Sequence, residues 1–429
     1  MRRRPSKDGV MNGFFQRRDQ NKYSRNKNKW VGRFIGSRFC RLCSLESGKK
    51  MIVWFIVLCV LMIYLWLLSP WLFGPIIFHK QGILYENHDT EIIDRNENAI
   101  NAYEMARPVH GIRMEWKLDE SDSKQSIEAV YAIPSQKPVK GIVLLLHGCS
   151  HSALKFFSPS RTCPECIGLS EEIRISHLVL SSGYVPLAVS SYDRKRGCWS
   201  AKKDTAQIEQ TLKNFQFILS NSSPANNLPI YAIGASSGGY MAAELASRGL
   251  VSGSIVMVMS LGKSLQKRLF EAPVSLYLAP MPRDSQTTLR VQADFEALKG
   301  SSVCKVILDE KTCRPIPVTD KYLLSRVPGL KIQDAKDIVD ILVKKKHLDS
   351  EYYFIQDPTR SNWRELLKKA GGADSIPDTN MLWGKYNISP GKSPLAKAFH
   401  RGWAVHEYCS EVVLPGLSMF ENSNTGIRL

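Results

Sequence analysis

The sequence predicts an α/β protein with a mostly parallel, doubly wound sheet, preceded by one transmembrane helix. Three observations carry this prediction. Eight apolar segments of strand length recur between residues 112 and 308, and helical segments separate most of the later ones. An uninterrupted apolar run covers residues 51–68. Strands that alternate with helices at such spacings are typical of parallel sheets, and 429 residues suffice for a large core.

The basic character of the chain is concentrated at its N-terminus. The formal net charge is +18, and residues 1–50 carry 15 Lys and Arg against 3 acidic residues, a local balance of +12. Because this segment lacks apolar periodicity, we expect a disordered tail. The remaining 379 residues share only +6, which argues against a nucleic-acid partner for the folded body.

The apolar run after the tail predicts a transmembrane signal anchor over residues 51–73, followed by a polar connector over 74–110. A helix of 18 residues rises about 27 Å, close to the hydrocarbon thickness of a bilayer. The basic residues on its N-terminal side indicate a cytoplasmic tail and a type II topology. The body is then lumenal or extracellular, in the secretory pathway, and Asn221 and Asn387 are candidate glycosylation sites. Cys40 and Cys43 are either palmitoylation sites or free thiols.

The body begins with two alternating segments and continues with uniformly apolar ones. The alternation over residues 112–118 and 127–133 is typical of half-buried antiparallel strands. Continuous apolar runs predict strands buried on both faces. These later strands are expected at residues 141–148, 184–190, 229–233, 254–259, 274–278 and 303–308.

Amphipathic segments between and after these strands predict the helices. They lie at residues 169–181, 204–219, 288–299, 333–346 and 363–369, and Asp204 is placed to cap the second of them. A further helix follows the motif centred on Ser236. Nearly 100 residues separate the last strand from His406, and we expect a helical insertion over about 317–395, either a cap over a site or a buttress of the sheet.

The pattern Gly234-Ala-Ser236-Ser-Gly238 follows an apolar strand and opens a helix-forming run. This arrangement is typical of a nucleophile elbow, in which a strained turn presents a serine at the carboxyl edge of the sheet. Glycines two residues either side of Ser236 allow strand and helix to approach closely. The pattern also fits an ordinary strand-to-helix turn.

With the elbow, the strand ending in His147-Gly148 and a late histidine, residues 112–409 resemble an α/β-hydrolase-fold serine hydrolase. The whole chain also resembles uncharacterised membrane-anchored plant and algal members of that superfamily. The resemblance implies a nucleophile, an acid and a histidine in that chain order. It further implies that His147 is structural.

Ser236 is the candidate nucleophile, and Asp284, in the loop after a strand, is the candidate acid or simply a helix cap. Other carboxylates remain open as the acid: Asp294, and the pair Asp309 and Glu310. His406 is the favoured base because it is expected to open the C-terminal helix, with His400 as its alternative. We expect His347, on a charged segment, to be solvated.

The backbone N–H groups of Ser237 and of Cys149 or Ser150 are candidate oxyanion-hole donors. Disulfides are the expected use of Cys163 and Cys166, with each other or with Cys149 and Cys198. A zinc site formed by these cysteines with His151 or His177 is a weaker alternative. Cys304 and Cys313 are placed to close a short loop.

These residues together indicate a membrane-anchored serine hydrolase that cleaves an ester, thioester or amide through an acyl-enzyme. Its partner is a small-molecule or acylated substrate, and we expect no cofactor and no metal. A non-catalytic binding or receptor module on the same fold is the alternative.

Overall fold

The computed structural model describes residues 107–117, 126–136, 138–220, 228–369 and 393–423. The predicted tail, the anchor at 51–73, most of the connector, and both Asn221 and Asn387 lie outside these residues. Among the helices that the structure does describe, none combines the length and apolar character needed to cross a membrane.

A single eight-stranded sheet runs through the body in the order β1-β2-β4-β3-β5-β6-β7-β8. The strands are β1 Ile112–Lys117, β2 Ser126–Tyr131, β3 Gly141–Leu146, β4 Tyr184–Val189, β5 Ile230–Ala235, β6 Gly253–Met257, β7 Ser275–Ala279 and β8 Lys305–Leu308. Strand β2 pairs antiparallel with both β1 and β4, and every other pairing is parallel. The predicted mostly parallel sheet is confirmed, and it is consistent with an α/β-hydrolase fold.

The central strands are buried on both faces because helices cover the sheet on each side. Every residue of β3, β4, β5, β6 and β7 is buried. Alternate residues of β3 join different clusters: Ile142 and Leu144 pack in one, Val143 and Leu145 in the other. A doubly covered strand must be apolar on both faces, which explains why these strands read as continuous apolar runs.

Ten α-helices lie within the described residues. They are α1 Ser170–Ser181, α2 Ala201–Ser220, α3 Ser237–Ser247, α4 Lys263–Phe270, α5 Ser285–Leu298, α6 Asp320–Arg326, α7 Ile332–Lys344, α8 Trp363–Lys369, α9 Pro394–Trp403 and α10 Val413–Asn422. Helix α2 begins three residues before the predicted start. Asp204 lies inside its first turn, where its carboxylate accepts hydrogen bonds from the N–H groups of Tyr192 and Ser200, both at 2.6 Å.

The helices after β8 pack on a hydrophobic cluster of their own, which includes Tyr322, Trp363 and Phe399. A buried ion pair connects this cluster to the sheet domain. Arg326 at the end of α6 donates to Glu171 of α1 at 2.7 Å and also to Glu411. Since unpaired buried charges are costly, separating α6 from α1 would be unfavourable. Residues 370–392 of the predicted insertion lie outside the described residues.

Three disulfides join six of the seven cysteines beyond residue 110: Cys149–Cys198, Cys163–Cys166 and Cys313–Cys409. The pairing of Cys163 with Cys166 is one of the alternatives drawn from the sequence, whereas the pairing of Cys149 with Cys198 is not among them. The expected loop between Cys304 and Cys313 is wrong. Cys304 is a buried free thiol, and Cys313 instead pairs with Cys409, which lies 96 positions away in the sequence and next to the candidate base.

Candidate active site

Ser236 lies between β5 and α3 in a conformation that non-glycine residues rarely adopt, with φ 54° and ψ −125°. The glycines around it are required by space. A Cβ on Gly238 would lie 1.9 Å from the carbonyl oxygen of Leu146, and one on Gly234 would lie 2.2 Å from the carbonyl oxygen of Gly238. The strand and helix therefore meet at backbone contact, and the turn carries the strained serine that the elbow motif predicts.

Ser236, His406 and Asp284 form one hydrogen-bonded chain. The Ser236 Oγ lies 3.0 Å from Nε2 of His406, and Nδ1 of His406 lies 2.7 Å from Oδ2 of Asp284. Because a carboxylate only accepts, Nδ1 carries the proton, and Nε2 is left to accept from the serine hydroxyl. The imidazole is 49% exposed, so the site is open to solvent.

Asp284 both caps a helix and orients the imidazole. Its Oδ1 accepts from the N–H of Thr287 at 3.4 Å, at the start of α5, while Oδ2 faces His406. The two interpretations of this residue that the sequence left open are thus compatible. The cap holds the carboxylate at the start of the helix with its second oxygen directed at the imidazole.

The other candidate carboxylates are engaged elsewhere. Asp294 is buried and accepts from the N–H of Leu261 at 2.9 Å and from Gln266 at 2.6 Å. Asp309 accepts from the hydroxyl of Tyr277 at 2.7 Å. Glu310 accepts from the side chain of Gln292. These three carboxylates serve to join neighbouring elements of the sheet domain.

His406 lies in a loop, and the expectation that it opens the C-terminal helix is wrong. Helix α10 begins only at Val413, after a short 3-10 turn at Ser410–Val412. His406 itself has φ 39°, and Ala404 before it has φ 59°. His400 lies on α9, where its Nδ1 is 3.6 Å from Glu407.

His347 is also placed differently from the expectation of a solvated side chain. It is 4% exposed. The chain after α7 turns back at this point, and Ile355 donates its N–H to the His347 carbonyl at 3.0 Å. Burial lowers the pKa of this imidazole.

Residues 404–409, here called the base loop, are held by buried side chains that the sequence analysis did not single out. Glu407 accepts from Lys397 of α9 at 2.8 Å and from the N–H of Tyr408 at 3.0 Å. Burial by itself would raise the pKa of Glu407, but the ammonium of Lys397 holds it well below its usual range. The Tyr408 hydroxyl donates to the carbonyl of Leu146 at 2.8 Å, which ties the base loop to the end of β3.

The loop after β3 lies against the elbow, since a Cβ on Gly148 would be 3.8 Å from the Cβ of Ser236. Of the two donors proposed for this loop, Ser150 already donates its N–H to the carbonyl of Arg196 at 2.8 Å. The N–H groups of Cys149 and Ser237 have no acceptor within the described part of the chain. The disulfide from Cys149 to Cys198 anchors the same loop.

His147 is fully buried beneath this loop and serves as a structural link. Its Nε2 accepts from the N–H of Ser191 at 2.9 Å, and its Nδ1 contacts the carbonyl of Gly148 at 2.8 Å. Burial lowers the pKa of His147 to about 3, so the ring is neutral at physiological pH. Trp199 donates to the His147 carbonyl at 2.7 Å, which further fixes the end of β3.

The described residues contain no cluster of three or more His, Cys, Asp or Glu side chains arranged to hold a metal ion. His151, a residue of the alternative zinc set, instead contacts Glu172 at 3.0 Å. Cys163 and Cys166 are joined to each other.

No family model matches the sequence, and no curated protein sequence matches it significantly. Solved structures, in contrast, do match this chain. The acylaminoacyl peptidase of Pyrococcus horikoshii matches at 13% identity and a TM-score of 0.36, over 50% of this chain and 38% of that one. The chain thus spans well under half the length of that peptidase.

Two smaller hydrolases match over more of their length. Est1E from Butyrivibrio proteoclasticus has 12% identity and a TM-score of 0.33, over 46% of this chain and 88% of its own. Dienelactone hydrolase from Anabaena variabilis has 15% identity and a TM-score of 0.29, over 47% and 87%. Likenesses this distant carry no argument about activity, which must come from the site itself.

Proposed function

We propose that the protein is a serine hydrolase that cleaves an ester, thioester or amide through a covalent acyl-enzyme. The observation that carries the proposal is the unbroken hydrogen-bonded chain from Ser236 through His406 to Asp284. A serine hydroxyl is a weak nucleophile at neutral pH, and an imidazole placed to take its proton supplies the missing reactivity. The strained turn at Ser236 also supports the proposal, since a nucleophile elbow presents the serine hydroxyl at the edge of the sheet.

In the proposed reaction, Nε2 of His406 takes the hydroxyl proton as the Ser236 Oγ attacks the substrate carbonyl carbon. Asp284 keeps the imidazole in the Nδ1–H tautomer and stabilises the imidazolium that forms. The N–H groups of Ser237 and Cys149 stabilise the oxyanion. The leaving group departs with the proton from Nε2, and water then hydrolyses the acyl-enzyme with His406 again acting as base.

Labelling of the full chain with a fluorophosphonate tests this proposal. The wild type is expected to form a stable adduct at Ser236, and Ser236→Ala is expected to abolish it. Ser247→Ala, at the far end of helix α3, is the matched control and should label like the wild type. Equal labelling of the wild type and Ser236→Ala would exclude the proposed nucleophile and would favour the non-catalytic module.

We further propose that residues 51–73 anchor the protein as a type II membrane protein with its body in the lumen or outside the cell. The three disulfides support an oxidising compartment for the body. Glycosylation at Asn221 and Asn387 would follow from this topology. An endoglycosidase should then shift the mobility of the wild type but not of the double variant Asn221→Gln/Asn387→Gln. A shift that persists in the double variant would contradict these two sites, and the absence of any shift in the wild type would contradict the glycosylation.

A further inference from the structure

Arg283 and Trp403 form a stacked pair that the proposed chemistry leaves unused. The guanidinium carbon of Arg283 lies 3.3 Å from the centroid of the Trp403 ring. Arg283 is exposed, whereas Trp403 is half-buried at the end of α9. Within the described residues, the guanidinium makes no hydrogen bond and no ion pair. The N–H donors of Arg283 are therefore available, although the guanidinium plane is held against the Trp403 ring.

The carboxylate with which Arg283 interacts electrostatically is Asp357, and it is committed to its own turn. Its Oδ1 accepts from the N–H and the hydroxyl of Thr359, at 2.8 and 2.7 Å, and its Oδ2 lies 3.8 Å from Arg360. Partial burial lowers the pKa of Arg283, and Asp357 opposes this effect without occupying the donors of the guanidinium. A stacked guanidinium keeps its N–H edge free, which suits it to bidentate contact with a carboxylate.

The pair belongs to the two chain segments that supply the acid and the base. Arg283 immediately precedes Asp284, and Trp403 lies three residues before His406. In the proposed reaction, the leaving group must receive its proton from Nε2 of His406, so it departs on the imidazole side of Ser236. The oxyanion donors, in contrast, come from the elbow and from the loop after β3. The cation is therefore carried by the segments that border the leaving group.

Given the serine-hydrolase activity proposed above, we propose that Arg283, held flat on Trp403, binds a carboxylate on the leaving group of the substrate. The preferred substrate is then an ester whose alcohol portion carries a carboxylate. In the acylation step the Ser236 Oγ–acyl bond forms and the ester C–O bond breaks. The serine proton passes through His406 Nε2 to the departing oxygen. Arg283 undergoes no covalent change and acts by orienting the leaving group towards His406.

Two acetate esters with leaving groups of equal size test the proposal on the purified full chain: 4-carboxyphenyl acetate and 4-carbamoylphenyl acetate. Each kcat/KM is normalised to the hydroxide-catalysed rate of the same ester, which removes the difference in leaving-group reactivity. We expect the wild type to prefer the carboxylate ester about three- to fivefold, as an exposed, charge-assisted contact would give. Arg283→Gln should reduce this preference to about onefold, and Arg283→Lys should retain part of it.

Arg290→Gln is the matched control, because it removes an exposed arginine from α5 and should leave the preference unchanged. Both esters give the same acetyl-enzyme, from which the leaving group has departed. Because Arg283 is proposed to contact only the leaving group, the deacylation rate should be identical for the wild type and Arg283→Gln. A wild type without the preference overturns the subsite, as does a preference that survives in Arg283→Gln or is lost equally in Arg290→Gln. Fluorophosphonate labelling without cleavage of either ester also overturns it, while the proposed function stands. Failure of both labelling and cleavage overturns the proposed function itself.

Discussion

The elbow at residues 234–238 and the base loop at residues 404–409 both carry strained residues of the candidate site, yet they are held in different ways. The elbow depends on what its glycines lack, because a Cβ at Gly234 or Gly238 would collide with backbone atoms. The base loop depends instead on contacts that its own side chains make with other segments of the chain. Lys397, Leu146 and Cys313 respectively contact Glu407, Tyr408 and Cys409.

This difference explains why a short sequence motif predicts the elbow, whereas no short motif predicts the base loop. A steric requirement for glycine leaves a pattern within five residues of sequence. A loop stabilised by an ion pair, a hydroxyl and a disulfide leaves no local pattern, since each partner is specified elsewhere in the chain. Substitutions in the two regions should therefore have different effects. Replacing an elbow glycine should impair folding, whereas a substitution in the base loop should affect both folding and the catalytic geometry.

The largest expected effect is on the acylation rate, and it distinguishes His406 from His400, the two candidate bases. His406→Ala removes the group within hydrogen-bond distance of Ser236, and we expect the acylation rate to fall about 10³- to 10⁴-fold. Stability should change little, because the imidazole is half exposed. The measurement is single-turnover acylation by a chromogenic ester, with denaturant unfolding in parallel.

His400→Ala is the control for this substitution. Its imidazole faces Glu407 at 3.6 Å, and within the described residues it has no hydrogen bond or ion pair with Ser236, Asp284 or His406, so most of the acylation rate should remain. A loss at His400 equal to that at His406 would remove the assignment of His406 as base.

The sheet was predictable because its strands satisfy a strong and local constraint. A strand covered by helices on both faces must be apolar at every position, and β3 to β7 are recognisable for that reason. Helices α4, α6 and α9 were not predicted, although α8 is as short as α6 and was. Helix α9 did carry a signal, since Ser393 caps it and Pro394 opens it.

The site was less predictable than the fold because long-range contacts select among equivalent candidates. The donation of the Ser150 N–H to Arg196 leaves Cys149 as the available donor of the loop after β3. The pairing of Cys313 with Cys409 left Cys304 as a free thiol. In the first case, local sequence identified the candidates and a tertiary contact distinguished them. In the second, the partner of Cys313 lies 96 positions away, so local sequence did not indicate it.

At the elbow we expect an effect of intermediate size, on the free energy of unfolding rather than on the reaction. Gly238→Ala places a methyl group 1.9 Å from the carbonyl oxygen of Leu146, and a backbone atom cannot rotate away. We expect the free energy of unfolding to fall by about 3 kcal/mol or more. Gly300→Ala is the matched control, since no atom lies within 4 Å of its Cβ position, and a change within about 0.5 kcal/mol is expected. Urea titrations of both variants provide the comparison, and equal midpoints would contradict the steric account of the motif.

The smallest effect tests whether the hydroxyl of Tyr408 positions the base loop or only stabilises it. Tyr408 and Tyr322 are both buried, and each donates to a backbone carbonyl, of Leu146 at 2.8 Å and of Ala398 at 2.7 Å. Either Tyr→Phe substitution should reduce the free energy of unfolding by about 1 kcal/mol.

Only Tyr408 lies two residues from His406 and connects the base loop to the strand beside the elbow. We therefore expect Tyr408→Phe to lower kcat/KM about three- to tenfold, because a small displacement of the imidazole weakens its contact with Ser236. Tyr322→Phe should leave kcat/KM unchanged, since its hydrogen bond joins α6 to α9 and involves no residue of the base loop or of β3. Ester hydrolysis measured well below the unfolding transition distinguishes the two variants. Equal kcat/KM values would mean that the Tyr408 hydroxyl stabilises the fold without positioning the base.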